Sequence, residues 1–387
     1  MFLYLIRLTM REDLRQAMDS MYPQSLCENI SDAAASAWTG YMLSDAVYLQ
    51  SIKFAAAAQA DAAAGRKASL STLHYAATAI HSLQQRLSDS SAPEAISDPT
   101  IMSVVLLARA ADQMDHRGNM ENHVGGLKTM IALRGGFAAL PSTTDELWTK
   151  VCRTDLSAAL RRGAQPVFFR ENISWDVYLT TDFAKKTALS SGPPEVSAVM
   201  DAVDVRLRNV WLDLRTFSSM ANLAHQTGRK VPTDYFAEIV TSIMYRLFHQ
   251  SYQEGSLEET MRVGMLVYAA GVMFKWDRPC NVEQKQHMMP LFTDSLLSMI
   301  DDSSSPDPLV LWLLVVWLTL AASMAEKQSL MERIEGSLHA TLTRMGISKW
   351  KDVKQSLKSV LWIDVLHDRL GKVVVEQTLS QQRNREG

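Results

Sequence analysis

From His123 to Leu140 the chain reads HVGGLKTMIALRGGFAAL, and its apolar residues recur at α-helical spacing. One helical stripe holds His123, Leu127, Met130, Ile131 and Arg134. Gly125 and Gly126 lie near the start of the stripe, although each glycine costs about 1 kcal/mol in helix propensity. We therefore expect the two glycines to permit the close approach of another helix.

The end of the same stretch carries the signals of a helix C-terminus. Arg134 places a positive charge at the negative end of the helix dipole. Gly135 and Gly136 can supply the left-handed residue of a C-cap, with Phe137 or Leu140 as its hydrophobic contact. We predict a structural role for the residues of this motif: His123, Gly126, Leu127, Met130, Leu133, Arg134, Gly135, Gly136 and Leu140.

Helical spacing continues on both sides of this segment, and no run alternates convincingly as a β-strand. After a stop at Gly65, a helix is predicted to begin near Ser69 with one apolar face: Leu70, Leu73, Ala77, Ile80, Leu83 and Leu87. Another helix has a face that tapers to alanine: Val203, Leu207, Val210, Leu214, Phe217, Ala221 and Ala224. The pattern has no fixed repeat period. It predicts an all-α fold, an irregular multi-helix array of packed antiparallel helices.

Several further helices are predicted towards the C-terminus, near 234–250, 258–275, 283–300, 308–325, 327–345 and 349–363. Two Asp-Pro pairs, Asp98-Pro99 and Asp307-Pro308, read as an N-cap acceptor followed by proline at the first helical position. Ser256 with Glu259 fits a capping box. These signals predict where three of the helices begin.

The segment Leu309–Ala325 is apolar all round and close to the lower length limit of a membrane span. Acidic residues flank it closely, and its tryptophans lie inside it rather than at its ends. We interpret it as a buried central helix of a soluble array, with no membrane contact.

The chain divides into three parts by composition. Residues 1–24 are predicted to form an amphipathic segment, residues 25–376 a single helical domain, and residues 377–387 a polar tail. Between 163 and 195 the helical pattern weakens, and aromatic residues are scattered among glycine, proline, asparagine and aspartate. We place an internal boundary of the domain near 163–195.

Composition narrows the classes of function. Hydrophobic residues make up 47% of the chain and charged residues 21%, which is globular composition. A net charge of -3 gives no broad attraction to nucleic acid, and the pairs Arg161-Arg162 and Lys185-Lys186 are more typical of solvated helix faces. Cys27, Cys152 and Cys280 are far apart, so they predict neither a disulfide framework nor a metal cluster.

The search for catalytic chemistry finds no standard motif. Neither a nucleophile elbow nor a phosphate-binding loop nor a His-Glu-x-x-His pair is present. Asp301-Asp302 reads as a helix end, and the most concentrated polar group is Asp112, Asp115, His116 and His123. Its spacing could bring oxygen and imidazole ligands together, but a solvated helix end with a structural histidine is the simpler interpretation. We predict no catalytic, cofactor-binding or metal-ligating residues and no enzyme.

Methionine is frequent in the second half of the chain: Met261, Met265, Met273, Met288, Met289 and Met299. These side chains could pack in the core or line a pocket for an apolar small molecule. We favour core packing and leave the pocket as the alternative.

The motif of the opening stretch resembles a conserved segment, H-x-x-G-L-x-x-M-x-x-L-R-G-G-x-x-x-L, of the regulatory region of fungal zinc-cluster transcription regulators. Other blocks are similar to that region in the same order: Tyr75 to Leu83, Asp98 to Ile101, Glu259 to Tyr268, Leu311 to Leu314, Trp350 to Lys354, Leu361-Trp362 and Leu366 to Asp368. The resemblance covers roughly residues 25–376. Each block is loose alone, but their order makes the set fairly specific.

This resemblance implies a helical effector-sensing domain of a nuclear transcription regulator. It would bind a hydrophobic small molecule, pair with other transcription regulators or with itself, or do both; sterol-responsive relatives hold a sterol in an apolar pocket. The family's DNA-binding module needs six closely spaced cysteines, and this chain has three that are far apart. Sequence-specific DNA binding by such a zinc cluster is therefore not expected here, and whether a cluster is encoded upstream of Met1 stays open.

Two other functions remain open at this point. The fold could serve as a cytoplasmic scaffold or adaptor without a transcriptional role. Less expected is an all-α enzyme, which would place converging carboxylates, or a histidine with an acidic partner, around a cavity.

Overall fold

A computed structural model describes residues 21–89, 92–114, 117–140, 147–170, 173–179, 193–274, 282–301, 305–322, 324 and 328–386. Within these ranges the fold is all-α, as predicted, with helices and no β-strand. The predicted segment 1–24 lies almost wholly outside the described residues, as do Lys185-Lys186 and Cys280.

The helices fall into two compact units, which we call the N-terminal unit (1–22 and 29–170) and the C-terminal unit (23–28 and 171–387). The N-terminal unit holds α1 (Asp32–Ser44), α2 (Ala46–Ala63), α3 (Leu70–Leu87), α4 (Asp98–Gln113), α5 (Arg117–Leu133) and α6 (Leu147–Arg162). The C-terminal unit holds α7 (Pro194–Ala202), α8 (Val205–Gln226), α9 (Thr233–Phe248), α10 (Leu257–Phe274), α11 (Val282–Asp301), α12 (Asp307–Ala321), α13 (Gln328–Arg344), α14 (Trp350–Val360) and α15 (Asp364–Glu386). The division after residue 170 falls inside the interval 163–195.

Each unit is built around one central helix. In the N-terminal unit α4 packs against α2, α5 and α6, and in the C-terminal unit α12 packs against α10, α11, α13, α14 and α15. All residues of α12 except Asp307 and Thr319 are buried, as the interpretation of this segment as a buried central helix requires. No helix within the described residues combines the length and apolarity needed to cross a membrane.

The two Asp-Pro pairs do open α4 and α12, but the aspartates are not the caps. Ser97 and Pro306 are the N-cap residues, and the helices begin at Asp98 and Asp307 themselves. Each carboxylate pairs with an arginine: Asp98 with Arg134, and Asp307 with Arg344 at 2.6 Å.

The capping box at the start of α10 is half formed. The Ser256 hydroxyl accepts from the backbone N–H of Glu259 at 3.2 Å. The Glu259 carboxylate does not return to Ser256, because it accepts from the Arg262 guanidinium at 2.5 and 2.8 Å and from the Tyr252 N–H at 3.2 Å.

The apolar face predicted on α3 is mostly exposed. Of its residues only Leu83 is buried, whereas Leu70 is 87% exposed and Leu73 48% exposed. Buried Asp61 accepts from the Thr72 hydroxyl at 2.7 Å, and Thr72, Ala79 and Leu83 form the face that packs inward. The hydrogen bond to Asp61 on α2 is thus accompanied by an orientation of α3 in which the leucine face points outward.

The segment between α6 and α7 is irregular where it is described, and buried carboxylates hold it in place. Asp155 on α6 accepts from the N–H groups of Val167 and Phe168 at 2.9 and 3.1 Å. Asp213 on α8 accepts from Leu179 N–H at 2.8 Å and from the buried Arg246 guanidinium at 2.6 Å. These bonds satisfy backbone donors that no helix satisfies.

Residues 377–386 of the predicted polar tail are helical, since α15 runs from Asp364 to Glu386. Thr378 is buried on this helix. The other C-terminal helices lie close to their predicted ranges.

Candidate functional site

A cavity of about 350 Å³ lies in the C-terminal unit and is the candidate site; we call it the C-terminal cavity. Its wall comes from α10, α12, α15 and the chain segment 23–25. Apolar side chains form most of that wall: Val267, Val272, Val316, Leu320, Leu366 and Leu370. Its size and lining are typical of a small-molecule site.

Residues 23–25 reach the cavity because the chain after them is fastened to the loop before α9. The N–H of Val231 donates to Leu26 O at 2.9 Å, and the N–H of Glu28 donates to Val231 O at 2.9 Å. The Lys230 ammonium donates to Gln24 O at 2.8 Å. This short parallel bridge holds residues 23–25 against the helical part of the wall.

His367, in the first turn of α15, is the main polar group of the cavity wall. Its Nδ1 atom lies 3.2 Å from the backbone nitrogen of Ile363 and 3.1 Å from the carbonyl oxygen of the same residue. Burial lowers the pKa of His367 to about 4, so the imidazole is neutral at pH 7. Its Nε2 atom has no hydrogen-bond partner among the described residues and can donate or accept, depending on the tautomer.

Two aromatic rings pack against this imidazole. The centroid of Tyr268 lies 4.7 Å from that of His367, and the centroid of Trp362 lies 5.0 Å from it. The Tyr268 hydroxyl and the Ser218 hydroxyl are 3.2 Å apart in a buried hydrogen bond. Burial raises the pKa of Tyr268, so this hydroxyl also stays neutral. The polar part of the wall is therefore uncharged apart from Arg369, which is exposed.

A network of ion pairs and hydrogen bonds fixes the start of α15. The Trp362 indole N–H donates to Asp368 at 2.9 Å, and Lys354 on α14 donates to the same carboxylate at 2.6 Å. Asn222 on α8 donates to Trp362 O at 2.7 Å and accepts from the N–H of Asp364 at 2.8 Å. Three helices thereby hold His367 and Trp362 in place.

Gly371 allows α15 to lie directly on Trp362. A Cβ atom at Gly371 would come within 2.7 Å of Trp362 Cζ2 and Cη2 and 3.2 Å of Trp350 Cη2. Gly264 does the same for α10, because a Cβ there would overlap the Leu313 side chain and meet Trp312 Cζ3 at 3.3 Å. By contrast, Gly271 lines the cavity with open space above its Cα.

The motif residues His123 to Leu140 lie in the N-terminal unit, on α5 and the turn after it, and none of them lines the C-terminal cavity. The expected close approach at Gly125 and Gly126 is wrong, since no described atom lies within 4 Å of a Cβ built at either position. Leu127, Met130 and Ile131 are buried, whereas Leu133 is 62% exposed.

The glycine cap after α5 forms as expected. Gly136 N–H donates to Ile131 O at 2.9 Å and Gly135 N–H to Ala132 O at 3.0 Å, the two bonds of a Schellman motif. Both glycines have positive φ, 98° for Gly135 and 87° for Gly136. Phe137 supplies an aromatic contact, with its centroid 5.0 Å from each of Phe168 and Phe169.

The polar group around Asp112 does not form a metal site in the described part of the chain. Asp112 pairs with Arg161 at 2.7 Å, while Asp115 and His116 lie outside the described residues. Burial lowers the pKa of His123. Among the described residues no group of three potential metal ligands is present. Asp301 pairs with Arg333 at 2.7 Å, in keeping with a helix end.

The six methionines are core residues. All of them are buried, and none lines the C-terminal cavity: Met261, Met265, Met273, Met288, Met289 and Met299. The cavity wall is made of valine, leucine and aromatic residues instead. The sequence blocks from Trp350 to Asp368 contain its key residues, but only as a resemblance, because nothing in their spacing shows that they face a cavity.

No protein-family model matches the chain, and neither a curated protein nor a solved structure matches it significantly. The resemblance to zinc-cluster regulators therefore rests on the sequence blocks themselves.

Proposed function

We propose that this chain is the helical regulatory domain of a transcription regulator of the fungal zinc-cluster type, and that the C-terminal cavity binds an apolar effector. The observation that carries the effector part is the apolar, 350 Å³ cavity with its neutral His367. The ordered sequence blocks support the transcriptional part. A nuclear location and pairing with other regulators, or with a second copy, belong to the same proposal.

The wall of the cavity suggests how an effector would act. A ligand there contacts three helices and residues 23–25, which are held to the rest of the unit by few hydrogen bonds. It stabilises whichever arrangement of these elements it fits best, and shifts the population by its difference in affinity. No catalytic step is part of the proposal.

Cavity binding is tested with the full chain and Nile red, an uncharged apolar dye whose fluorescence rises in apolar surroundings. We expect saturable binding that the substitution Gly271→Leu abolishes, because a leucine there enters the cavity without meeting backbone. The control is Gly336→Leu, since Gly336 is also helical and open but lies outside the cavity wall. Binding that survives Gly271→Leu would refute the assignment of the cavity.

Transcriptional activity is tested by fusing the full chain to a heterologous DNA-binding module in a reporter strain. We expect reporter output to differ from that of the module alone, and Gly271→Leu to change it more than Gly336→Leu does. A fusion that leaves output unchanged, together with a tagged chain that stays out of the nucleus, would count against a regulator.

A second candidate function is a helical adaptor, and the exposed face of α3 favours it. Leu70, Leu73, Ala77, Ile80, Gln84 and Leu87 follow the alternating three- and four-residue spacing of a coiled-coil seam. Leu70, Leu73, Ile80 and Leu87 are between 37% and 87% exposed. An amphipathic helix of a partner protein would bury this face.

The adaptor is tested by proximity labelling of the tagged chain. The double variant Leu73→Glu with Ile80→Glu should lose its cytoplasmic partners, whereas the control His74→Glu with His81→Glu adds the same charge at neighbouring exposed positions and should keep them. An unchanged partner set in the first variant would argue against a docking role of α3.

A further inference from the structure

A second cavity lies in the N-terminal unit, between α2 and α4. It measures about 120 Å³, and α6 and Met21 complete its wall; we call it the α2–α4 cavity. Five polar side chains line it: Tyr48, Gln59, Arg109, Gln113 and Lys150.

Arg109 is the unusual member of this set. Its only hydrogen-bond contact within the described residues joins Nη1 to the Met21 sulfur at 3.6 Å, and a thioether is a weak acceptor. The nearest acidic residue on its own helix, Asp112, pairs with Arg161 at 2.7 Å. Desolvation lowers the pKa of Arg109. Arg109 is only partly exposed to solvent, and the charge of Asp112 raises its pKa by less than desolvation lowers it, so the positive charge is incompletely compensated.

Tyr48 adds a second unused donor. It is 1% exposed, and its hydroxyl has no hydrogen-bond partner among the described residues. Burial raises the pKa of Tyr48, so the O–H group stays protonated and able to donate. The amides of Gln59 and Gln113 can donate as well. The wall thus offers donors and positive charge to an occupant that supplies the acceptors.

The other side of the cavity is apolar and limits what that occupant can be. Ile52, Ala55, Ala56, Met102 and Leu106 form it, and the two alanines create the space. Phosphate or sulfate would turn oxygens towards these alkyl groups and lose hydrogen bonds there. A volume of about 120 Å³, about a third of that of the C-terminal cavity, favours a small occupant.

We propose that the α2–α4 cavity binds a short-chain monocarboxylate, with its carboxylate on the Arg109 guanidinium and the Tyr48 hydroxyl and its alkyl chain against Ile52 and Leu106. Arginine suits this role because its planar fork can hold a carboxylate through two parallel hydrogen bonds. The site is separate from the C-terminal cavity and does not depend on it.

Calorimetric titration of the full chain with butanoate tests the site. We expect one butanoate per chain, with no binding of 1-butanol or butylammonium, which share the alkyl chain but lack the negative charge. Affinity should fall for acetate, which leaves the apolar wall unfilled, and for octanoate, which is too long. Equal binding of inorganic phosphate would overturn the monocarboxylate in favour of a general anion site, and absence of butanoate binding would overturn the site altogether.

Substitutions separate a binding role of Arg109 from a structural one. Arg109→Met should weaken butanoate binding at least about tenfold, since it removes a charge-assisted hydrogen bond. The same variant without ligand should melt at a higher temperature than the parent, because an enclosed charge is replaced by an apolar group of similar length. A lower melting temperature with unchanged affinity would overturn the proposal.

Two further variants complete the test. Tyr48→Phe should weaken binding about three- to tenfold while leaving the fold intact, and unchanged affinity would overturn the role of its hydroxyl. Lys53→Met is the matched control, because Lys53 is exposed on α2 and lies outside the cavity wall. It removes one positive charge from the same helix and should bind butanoate as the parent chain does.

Discussion

Gly126 lies inside α5 and Gly264 inside α10, and both helices have an apolar face, yet the surroundings of the two glycines differ completely. No described atom lies within 4 Å of a Cβ at Gly126, whereas a Cβ at Gly264 overlaps Leu313. The residues that press on Gly264, Leu313 and Trp312, lie on a helix well removed in sequence. A glycine in a helix therefore permits another helix to pack closely. Whether a helix does pack there depends on the position of the neighbouring helix.

The largest effect should come from filling the close approach at Gly264. Gly264→Val inserts a branched side chain between α10 and α12, where Phe292 Cε2 also lies only 3.6 Å from the Cβ position. We expect a loss of about 4 kcal/mol in the free energy of unfolding of the C-terminal unit, at the upper end of single substitutions. Urea denaturation followed by tryptophan fluorescence measures it. A variant as stable as the parent would show that α10 and α12 can separate without cost.

A pH titration gives the next largest effect. The pKa of His367 is lowered by burial to about 4, against about 6.5 in an unfolded chain. Below pH 6.5 His367 therefore binds a proton in the unfolded chain but not in the folded chain. The free energy of unfolding decreases as the pH falls towards 4. We expect a loss of about 3 kcal/mol from this group over that window.

The variant His367→Asn isolates that contribution. Its amide can replace Nδ1 beside Ile363 but does not titrate, so stability should depend less on pH between 6.5 and 4. Denaturation midpoints at several pH values measure the difference. If parent and variant lose stability in parallel, another group is responsible. The pKa of His123 is lowered in the same direction, so the N-terminal unit should respond with the same sign.

A smaller loss is expected at the end of α5. Gly136 has φ of 87° and ψ of -176°, an essentially glycine-only conformation that costs a residue with a side chain about 2 kcal/mol. Gly136→Ala should lower the stability of the N-terminal unit by about that amount, although no described atom blocks the added Cβ. The matched control is Gly118→Ala, at an α5 position without positive φ and with open space. Equal effects of the two substitutions would show that backbone strain is not the cause.

The smallest expected effect is an increase, not a decrease, in the free energy of unfolding. Gly126→Ala adds a methyl group in open space within α5, so only helix propensity changes, and we expect a gain of about 0.5–1 kcal/mol. Thermal denaturation followed by circular dichroism measures it. A destabilised Gly126→Ala variant would restore the close helix approach that the sequence suggested.

The sequence predicted helix positions well because local signals set them. Ser69 caps α3 through a hydrogen bond from the Thr72 N–H at 3.3 Å, and Gly65 ends the preceding turn with φ of 64°. The core face of α8 was also predicted, with Leu207, Val210 and Leu214 buried. These features depend on residues that are neighbours in the chain.

The candidate site could not be predicted in the same way. Tyr268, Trp362 and His367 lie on different elements, and the cavity exists only where α10, α12 and α15 diverge. The exposure of the leucine face of α3 could not be predicted either, because the buried Asp61–Thr72 hydrogen bond lies on the opposite, inward-packing face. A hydrogen bond between two helices, such as the one between Asp61 and Thr72, produces no periodic pattern in the sequence of either helix.

By itself the sequence determined that this chain is all-α, where its helices start and stop, and that α12 is apolar enough to be a central helix. These properties follow from helix propensity, capping and hydrophobic periodicity, which act over a few residues. The tertiary structure alone decided which face of α3 stays in water, which glycines lie against tryptophan rings, and where the two cavities form. Those outcomes depend on contacts between segments that are distant in sequence. The free energy of such contacts cannot be derived from the sequence of either segment alone.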